Sequence, residues 1–306
     1  MSDYLLCGWR VRSDLPLPEL PAWPGGDQQP PDITIRLGEV PERLTPLVFE
    51  GPFLQVDTGG LCRFEIAAVA RYLVRAGREV VVAPQPAADG GEVRLFLFAN
   101  VFGLLCHQRG VFPLHASCVE IDGRAVALAG ESGVGKSTLA ARIGQRGYRL
   151  LADDVCVVDW RHPAGPQVLP GVARLKLWAD VLDLLNLPAD PVSRLRAGME
   201  KFIVPEPSGI SLAPRPLAAV YHLRVDTRLG DQATFEPLRG FAAISALIEA
   251  TSRRNAAIRM GGEKRLFEAA SRVAAAVPTA RLRRGADLAG LEALASAVII
   301  RHGGRV

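Results

Sequence analysis

The chain has 306 residues, 49% of them hydrophobic, so it is long enough to form one large folded domain or two modest ones. A net charge of +4 favours acidic or phosphate-bearing partners only weakly, and an aromatic content of 6% argues against a nucleic-acid-binding surface. The longest apolar run, residues 95–106, is shorter than a membrane-spanning helix, and no basic-then-apolar leader follows Met1, so neither a membrane partner nor a targeting signal is expected.

The first part of the chain is rich in short strand patterns. Residues 15–31 hold too many prolines for a helix or a central strand and are expected to form an extended loop. Between this loop and residue 92, short segments bounded by Gly, Pro and Asp are typical of small β-rich structure. These segments are ITIRL, FLQVD, ARYLV and EVVVA. Residues 1–92 are therefore predicted to form a β-rich N-terminal domain that recognises a substrate or a partner.

The remainder, residues 93–306, is predicted to be a second domain of α/β organisation. Apolar residues at helical spacing over 93–108, followed by Gly110, predict a helix that joins the two domains. Residues 111–160 read as strand, turn, strand, loop, helix and strand. The later predicted elements are a helix near 178–187, a strand over LAAVYHLRV, helices near 240–254 and 263–276, a strand over TARLRR and a helix over 286–300.

Residues 130–137 satisfy the pattern G-x-x-x-x-G-K-[ST], and we call this segment the glycine loop. It follows a buried strand pattern, AVALA, and precedes a helix pattern, STLAARIGQR, which Gly147 is expected to end. In this context the backbone N–H groups surround phosphates, the lysine reaches their β and γ oxygens, and Ser137 ligates Mg²⁺. The loop therefore predicts nucleotide binding. The predicted nucleotide contacts are Gly130, Glu131, Ser132, Gly133, Val134, Gly135, Lys136, Ser137 and Thr138.

Two adjacent aspartates, Asp153 and Asp154, end the next strand pattern, YRLLADD. Strands joined by a crossover helix in one sheet run parallel, so the two strands are expected to end at the same edge. The pair is therefore predicted to lie beside the glycine loop, where it either holds a metal ion or accepts a proton; a turn cap is the alternative. Asp226, after LAAVYHLRV, is a second candidate for a metal-supporting carboxylate, and the end of a β-hairpin explains it equally well.

The dipeptide Asp122-Gly123 lies between two strand patterns and favours a two-residue type I′ hairpin turn. In that register His115 lies opposite Gly130, beside the glycine loop. An imidazole at this point can hydrogen-bond a phosphate or a carboxylate and can carry a proton near neutral pH. His107, on the preceding helix, is expected only to pack or to end the helix.

The segment LHASCVEIDGRAVALAGESGVGKSTLAARIGQRGYRLLADD resembles the catalytic segment of the HPr kinase/phosphorylase family. In that family a histidine is followed by G-[DE]-S-G-x-G-K-S and by a strand that ends in paired aspartates. The resemblance implies a phosphate-loop kinase core related to phosphoenolpyruvate carboxykinase, with ATP and Mg²⁺ as cofactors and residues 93–306 as the ATP-binding catalytic domain. It also implies that Asp153 is the acid/base residue, assisted by His115 and Lys136.

Outside this segment the chain differs from the bifunctional enzymes of the family. Their EIRGLG signature, which is tied to the reverse, phosphorolytic reaction, has no counterpart, and LPGVARLKLWADVL stands in that region. The segments YLLCGWRVRSDLPLPEL, HQRGVFPLHAS and EKFIVP are similar to HPr kinase-like proteins of bacterial peptide-modification clusters. Some of those proteins phosphorylate a serine of a lasso-type precursor peptide. The resemblance thus implies a peptide or protein serine kinase and does not support phosphorylase activity.

Phosphoryl transfer needs positioning, charge neutralisation and a base near the incoming hydroxyl. In this scheme Asp153 accepts the serine proton, while Asp154 and Ser137 support the metal. A further cation is needed beside the transferring phosphate. The candidates are Arg174 and Lys201, followed by Lys176, Arg253 and Arg254.

Two other functions stay open on this evidence. One is a nucleotide-binding regulatory module that transfers no phosphate, and the other is a kinase of a small hydroxyl compound such as free serine. A separate N-terminal domain favours a macromolecular substrate, because small substrates seldom require one. Self-association is left open.

The five cysteines form no C-x-x-C pair and are odd in number. Neither a disulfide framework nor a zinc site is therefore expected. This pattern fits a reducing compartment, and the chain is predicted to be cytoplasmic.

Overall fold

The computed structural model describes residues 1–26, 29–172, 174–187, 200–204, 211–286 and 290–305. The chain divides into two compact units, each made of two stretches of sequence. The first unit comprises residues 1–113 and 252–268, and the second comprises residues 114–251 and 269–306. All five cysteines are buried thiols. Within the described residues, no helix has the length and apolar character needed to cross a membrane.

The first unit is built on one long sheet. Its strands are β1 (Ser2–Leu6), β2 (Trp9–Ser13), β3 (Ile33–Leu37), β4 (Leu47–Glu50), β5 (Leu54–Asp57), β6 (Cys62–Ile66), β7 (Ala70–Arg75) and β8 (Glu79–Pro84). Their order across the sheet is β1-β2-β3-β8-β7-β6-β5-β4. Neighbouring strands are antiparallel, except that β3 runs parallel to both β2 and β8. The β-rich character predicted for this part of the chain is confirmed.

A helical segment follows the sheet and belongs to the same unit. It consists of α1 (Gly90–Phe96), a π-helical turn (Leu97–Val101) and α2 (Phe102–Arg109). Tyr72 Oη donates to Val93 O over 2.9 Å, and Gln108 Nε2 donates to Val74 O over 3.1 Å. Gly110 ends α2 in the left-handed conformation with φ of 76°, as predicted. Because these helices bond to the sheet before them, the first unit extends past residue 92, the predicted domain boundary.

The remaining elements follow α2 along the chain. They are β9 (Phe112–Leu114), β10 (Ala116–Ile121), β11 (Arg124–Ala129), α3 (Lys136–Gln145), β12 (Leu150–Ala152), β13 (Cys156–Asp159), β14 (Gln167–Leu169), β15 (Leu175–Trp178), α4 (Ala179–Leu184), β16 (Lys201–Val204), β17 (Arg215–Val225), β18 (Ala233–Leu238), α5 (Phe241–Glu249), α6 (Arg254–Arg259), α7 (Glu263–Ala276), β19 (Thr279–Arg284) and α8 (Leu291–Arg301). Helix α6 belongs to the first unit, and α7 begins in the first unit and ends in the second.

The main sheet of the second unit brings several strand ends to one edge. Strand β10 is antiparallel to both β12 and β11, while β11, β17 and β19 run parallel to one another. Strand β18 is antiparallel to β19, and β14 joins the beginning of β17 to β13. The carboxyl ends of β11, β12, β17 and β19 therefore lie at the same edge as the amino end of β10. The predicted parallel relation of AVALA and YRLLADD is confirmed, with β10 between them.

Helix α3 packs on this sheet through a continuous apolar face. Leu139 and Ile143, one helical turn apart, are both buried in a cluster with Val119 and Ile121 of β10 and with Val298 of α8. This packing fixes the beginning of α3, and with it the glycine loop, at the edge where the strands end. The mixed α/β class is confirmed.

Candidate functional site

The β10–β11 hairpin has the predicted register. Asp122 and Gly123 both have positive φ, 49° and 70°, as a type I′ turn requires. At the open end of the ladder Ala116 pairs with Ala129. His115 is the residue just before Ala116. The register set by the turn therefore places His115 beside Gly130, the first glycine of the glycine loop.

The glycine loop adopts a backbone that only glycine accommodates easily. Gly130, Gly133 and Gly135 have φ of 137°, 84° and 97°. A Cβ atom at Gly130 would lie 2.8 Å from the carbonyl oxygen of Leu223 on β17. Inside the loop, Lys136 Nζ donates to the carbonyl oxygens of Gly130 and Glu131, each over 2.9 Å. The loop is therefore wrapped around a buried ammonium group.

Two arginines from neighbouring strand ends brace this loop. Arg284, at the end of β19, donates to Val134 O from Nε over 3.1 Å and from Nη2 over 2.9 Å. Arg224, near the end of β17, bonds Glu131 over 2.6 Å and Glu249 over 2.7 Å. Neither arginine is among the predicted site residues. In the sequence, both are cations at the end of a strand pattern. In the structure, both strands run parallel to β11.

Asp153 is a buried carboxylate held against the glycine loop. Asp153 as a whole residue is 6% exposed. Oδ1 accepts from Ser117 Oγ over 2.6 Å and from Ser137 Oγ over 2.9 Å, and Oδ2 lies 3.3 Å from the same Ser137 hydroxyl. Burial raises the pKa of Asp153, the hydroxyl of Ser117 opposes that shift, and the neighbouring charge of Asp154 adds to it.

The surroundings of Asp154 shift its pKa in the opposite direction to that of Asp153. Its backbone is left-handed, with φ of 73°, which turns the chain after β12. Oδ2 accepts from Lys176 Nζ over 2.6 Å, and Oδ1 lies 3.2 Å from Nδ1 of His115. Burial disfavours the charged carboxylate, but the hydrogen bond from His115 and the charge of Lys176 outweigh it, so the pKa of Asp154 is lowered. This carboxylate is therefore ionised in the folded protein.

His115 connects the second aspartate to the glycine loop. Nδ1 lies 3.1 Å from the carbonyl oxygen of Asp154, and Nε2 lies 3.1 Å from Lys136 Nζ. Because a lysine ammonium can only donate, Nε2 accepts and Nδ1 carries the proton that it donates to Asp154. A chain of contacts thus runs from Lys176 through Asp154 and His115 to Lys136.

The structure separates the remaining predicted residues into different groups. Lys176 on β15 reaches Asp154, whereas Arg174, a preferred candidate from the sequence, is half-buried just before β15. The side chain of Lys201 lies outside the described residues. Asp226 accepts from the side chain and the backbone N–H of Arg228, and these hydrogen bonds hold its pKa near 2, so its carboxylate is engaged within the segment that follows β17.

His107 has the structural role expected of it. Its Nε2 lies 2.7 Å from Ser252 O within the first unit, and burial lowers its pKa. Arg253 and Arg254 belong to the first unit, where they stand at the beginning of α6.

Ser117 is the contact of Asp153 that the sequence motifs do not reveal. It lies on β10, two residues after His115, and is fully buried. The signal available in the sequence is a serine in an otherwise apolar strand that directly precedes the glycine loop.

The residues present fit a nucleotide with Mg²⁺. The glycine loop supplies backbone N–H groups at the beginning of α3, with Lys136 among them, and Ser137 Oγ is paired with a carboxylate. Among the described residues, no group of three His, Cys, Asp or Glu side chains could hold a metal ion by itself. Mg²⁺ in phosphate sites takes one or two protein ligands together with phosphate oxygens and water, so this donor set is suitable.

Comparisons with known proteins show what this chain is similar to. Residues 110–175 match the family model described as HPr Serine kinase C-terminal domain. The HPr kinase/phosphorylase of Limosilactobacillus reuteri (strain DSM 20016) is 28% identical over 151 residues, which are 47% of this chain and 43% of that protein. The HPr kinase/phosphorylase of Nitrosomonas europaea is 44% identical over 57 residues, 19% of this chain and 17% of that protein. These matches span less than half the length of the curated relatives.

Among solved structures, the Hpr(Ser) kinase/phosphatase from Coxiella burnetii is similar with a TM-score of 0.33 and 14% sequence identity. The similarity covers 62% of this chain and 89% of that chain.

Proposed function

Because the chain belongs to an HPr kinase-like family through residues 110–175, we propose that it is an ATP-dependent kinase that phosphorylates a serine hydroxyl of a peptide or protein. Asp153 is the general base in this proposal. ATP binds the glycine loop, with Lys136 and the loop N–H groups against its phosphates. Ser137 holds Mg²⁺, which when bound neutralises phosphate charge.

The observation that carries the proposal is the buried carboxylate of Asp153 beside the glycine loop. A glycine loop alone serves any nucleotide-binding protein, so it does not favour a kinase. A carboxylate with a raised pKa is a stronger base than an exposed aspartate, and this one lies within 2.9 Å of the Ser137 hydroxyl in the loop. That position allows it to accept a proton from a hydroxyl brought to the phosphate.

The division of roles between the two aspartates is the sharpest question about this site. Asp154 is predicted to support the metal together with Ser137, yet the carboxylate that hydrogen-bonds Ser137 among the described residues is that of Asp153. Asp154 is instead engaged by Lys176 and His115. We propose that Asp154 supports the phosphate site by positioning Lys176 and His115 and that Asp153 handles the proton.

The class of acceptor follows from the relatives. Proteins named HPr kinase/phosphorylase are similar to this chain over its central segment, so HPr is one candidate substrate. A serine of a lasso-type precursor peptide is the other, on the resemblance of the flanking segments. The reverse, phosphorolytic reaction is not part of the proposal.

The test compares Asp153→Asn with Asp154→Asn. The parent protein is first incubated with Mg·ATP labelled at the γ-phosphate and with HPr, serine-containing peptides, free serine or no acceptor. Asp153→Asn should lower transfer to the fastest acceptor by about 10²- to 10⁴-fold while Mg·ATP affinity stays within a few-fold. Lys136→Ala, the control for the nucleotide site, should abolish or severely weaken Mg·ATP binding by calorimetry.

Three outcomes would redirect the proposal. Parallel losses of Mg·ATP affinity and of rate in Asp153→Asn, partly restored by excess Mg²⁺, would assign Asp153 to the metal. ATP consumption that no acceptor alters would favour a nucleotide-binding regulatory module. Transfer to free serine alone would favour a kinase of a small hydroxyl compound.

A further inference from the structure

We infer that Ser117 is a positioning residue for the proposed general base, one that fixes Oδ1 of Asp153 and leaves Oδ2 as the atom that receives the proton. The inference rests on the proposed function. The family-like segments of the sequence contain Ser117 but give it no role, and its role follows from the hydrogen bonds around Asp153.

The pleat of β10 explains how a serine comes to face the site. Side chains alternate across a strand, so Ser117 shares a face with Val119 and Ile121. Those two residues lie in the apolar cluster against which α3 packs. Ser117 therefore projects toward the side of the sheet where α3 carries Ser137, and it is the polar member of an otherwise apolar row.

A fully buried hydroxyl in such a row is costly unless it is hydrogen-bonded. Among the described residues, Ser117 Oγ donates a hydrogen bond to Asp153 Oδ1 over 2.6 Å, a distance typical of a hydroxyl donating to a carboxylate. An alanine would suit the packing without this cost. The hydroxyl is thus explained by what it does for Asp153 rather than by its contribution to the core.

The two oxygens of Asp153 are not equivalent. Oδ1 accepts from Ser117 and from Ser137 over 2.6 and 2.9 Å, so its lone pairs are occupied on two sides. Among the described residues, the hydrogen-bond contact of Oδ2 is the 3.3 Å one with Ser137. Two donors on one oxygen fix the rotation of the carboxylate about its Cβ–Cγ bond. Oδ2, the oxygen with fewer donors, is therefore the one assigned to receive the proton.

In the transfer step the acceptor serine loses its O–H proton to Oδ2 of Asp153. The serine oxygen forms a bond to the γ-phosphorus of ATP, and the bond from that phosphorus to the β,γ-bridging oxygen breaks. The electron pair of the broken bond leaves with ADP. Asp153 then holds one proton, which it releases to water before the next turnover. A carboxylate free to rotate would present Oδ2 to the serine in only a fraction of its conformations.

The experiment measures steady-state ADP formation from Mg·ATP by the full chain. The acceptor is first water alone. It is then whichever of HPr, the serine-containing peptides and free serine takes phosphate fastest. Ser117→Ala should lower kcat by about 10- to 100-fold, the effect of losing one hydrogen bond to a charged group. KM for Mg·ATP should stay within about twofold, because the glycine loop is unchanged.

A matched control and a double variant separate positioning from structure. Thr279→Val removes a buried hydroxyl at the beginning of β19, the end of that strand away from the glycine loop, and should leave kcat unchanged. In an Asp153→Asn background, Ser117→Ala should have almost no further effect on kcat, since its action passes through Asp153. Should Ser117→Ala fail to fold, Ser117→Cys fills the same site with a weak donor and carries the test.

The failures of the two proposals are distinguishable. If Asp153→Asn is inactive and Ser117→Ala keeps the parent kcat, the positioning role is wrong and the proposed function stands. If Ser117→Ala lowers kcat equally in both backgrounds, the hydroxyl has a structural role and the inference is overturned. If Asp153→Asn itself transfers phosphate at the parent rate, the proposed function and the inference fail together.

Discussion

At Asp153 burial opposes the ionised carboxylate and raises its pKa, whereas at Asp154 the hydrogen bond from His115 and the charge of Lys176 outweigh burial and lower it. A raised pKa means that the folded protein holds the proton more tightly than the unfolded chain does. The contribution of Asp153 to stability is therefore complete below its usual pKa of 3.8 and is lost as the pH rises through the folded-state value. The contribution of Asp154 has the reverse sense: it is present above 3.8 and is lost as the pH falls through the lowered value.

Asparagine at each position should therefore change stability in opposite directions near pH 7. Asp153→Asn should melt at a higher temperature than the parent, because a buried charge is removed. Asp154→Asn should lose about 1–3 kcal/mol, because Lys176 and His115 lose their acceptor. The Asp153→Asn difference should shrink as the pH falls toward 4, whereas the Asp154→Asn difference should persist down to about pH 3.8. Thermal and urea unfolding from pH 8 to pH 4 measures them, and shifts of the same sign at pH 7 would refute this electrostatic description.

At the scale of single elements, the glycine loop depends on the strand beside it. Gly130 combines a φ of 137° with a position against β17, where an added Cβ would meet Leu223 O at 2.8 Å. The clash involves backbone on both sides, so no side-chain rotation relieves it. The β10–β11 hairpin turn, in contrast, needs only its own two residues with positive φ.

Gly130→Ala should weaken Mg·ATP binding by about 5- to 150-fold, since strain of about 1–3 kcal/mol falls on the conformation that binds phosphate. Gly165→Ala is the matched control. Gly165 has a φ of 92° in a turn after β13, and a Cβ there would meet nothing within 4 Å. Gly165→Ala should lower the stability of the protein while its affinity for Mg·ATP stays within about twofold of the parent value. Calorimetry and thermal melts of both variants give the comparison, and equal effects on affinity would contradict the role of the β17 contact.

At the scale of the whole molecule, the first unit is completed by residues 252–268. Ser252 N donates to Pro113 O over 2.9 Å, and Arg265 Nη1 donates to His107 O over 3.3 Å. Met260 Sδ lies 3.2 Å from Cys62 Sγ. The unit is therefore not an independent N-terminal segment, although its sheet is formed entirely by the first part of the chain.

A fragment of residues 1–113 should consequently be less stable than the same fragment joined to residues 252–268 by a flexible linker. Each kcal/mol restored by the added contacts should raise the melting temperature by about 4 °C in a unit of this size. A linked peptide of the same composition in scrambled order is the control. Equal melting temperatures for the native and scrambled versions would show that residues 252–268 add nothing to this unit.

Features that depend on neighbouring residues could be predicted from local sequence patterns. The glycine loop follows from its spacing between a strand pattern and a helix pattern, and the Asp122-Gly123 turn fixed the register that brings His115 to the loop. The end of α2 at Gly110 and strands β3, β5, β7 and β8 follow from local propensity in the same way. These predictions are confirmed because turn chemistry and alternation act over a few residues.

Only the tertiary structure decided which distant side chains meet. Lys176, rather than Arg174, reaches Asp154 because the contact depends on how β15 is placed against the end of β12, which no local pattern encodes. Arg284 reaches the glycine loop from β19, 150 residues away along the chain. Ser117 meets Asp153 because β10 separates the two parallel strands and turns its buried face toward α3. Residues 252–268 join the first unit for the same reason: burial and hydrogen bonding act through space, and they are satisfied only once the whole chain has folded.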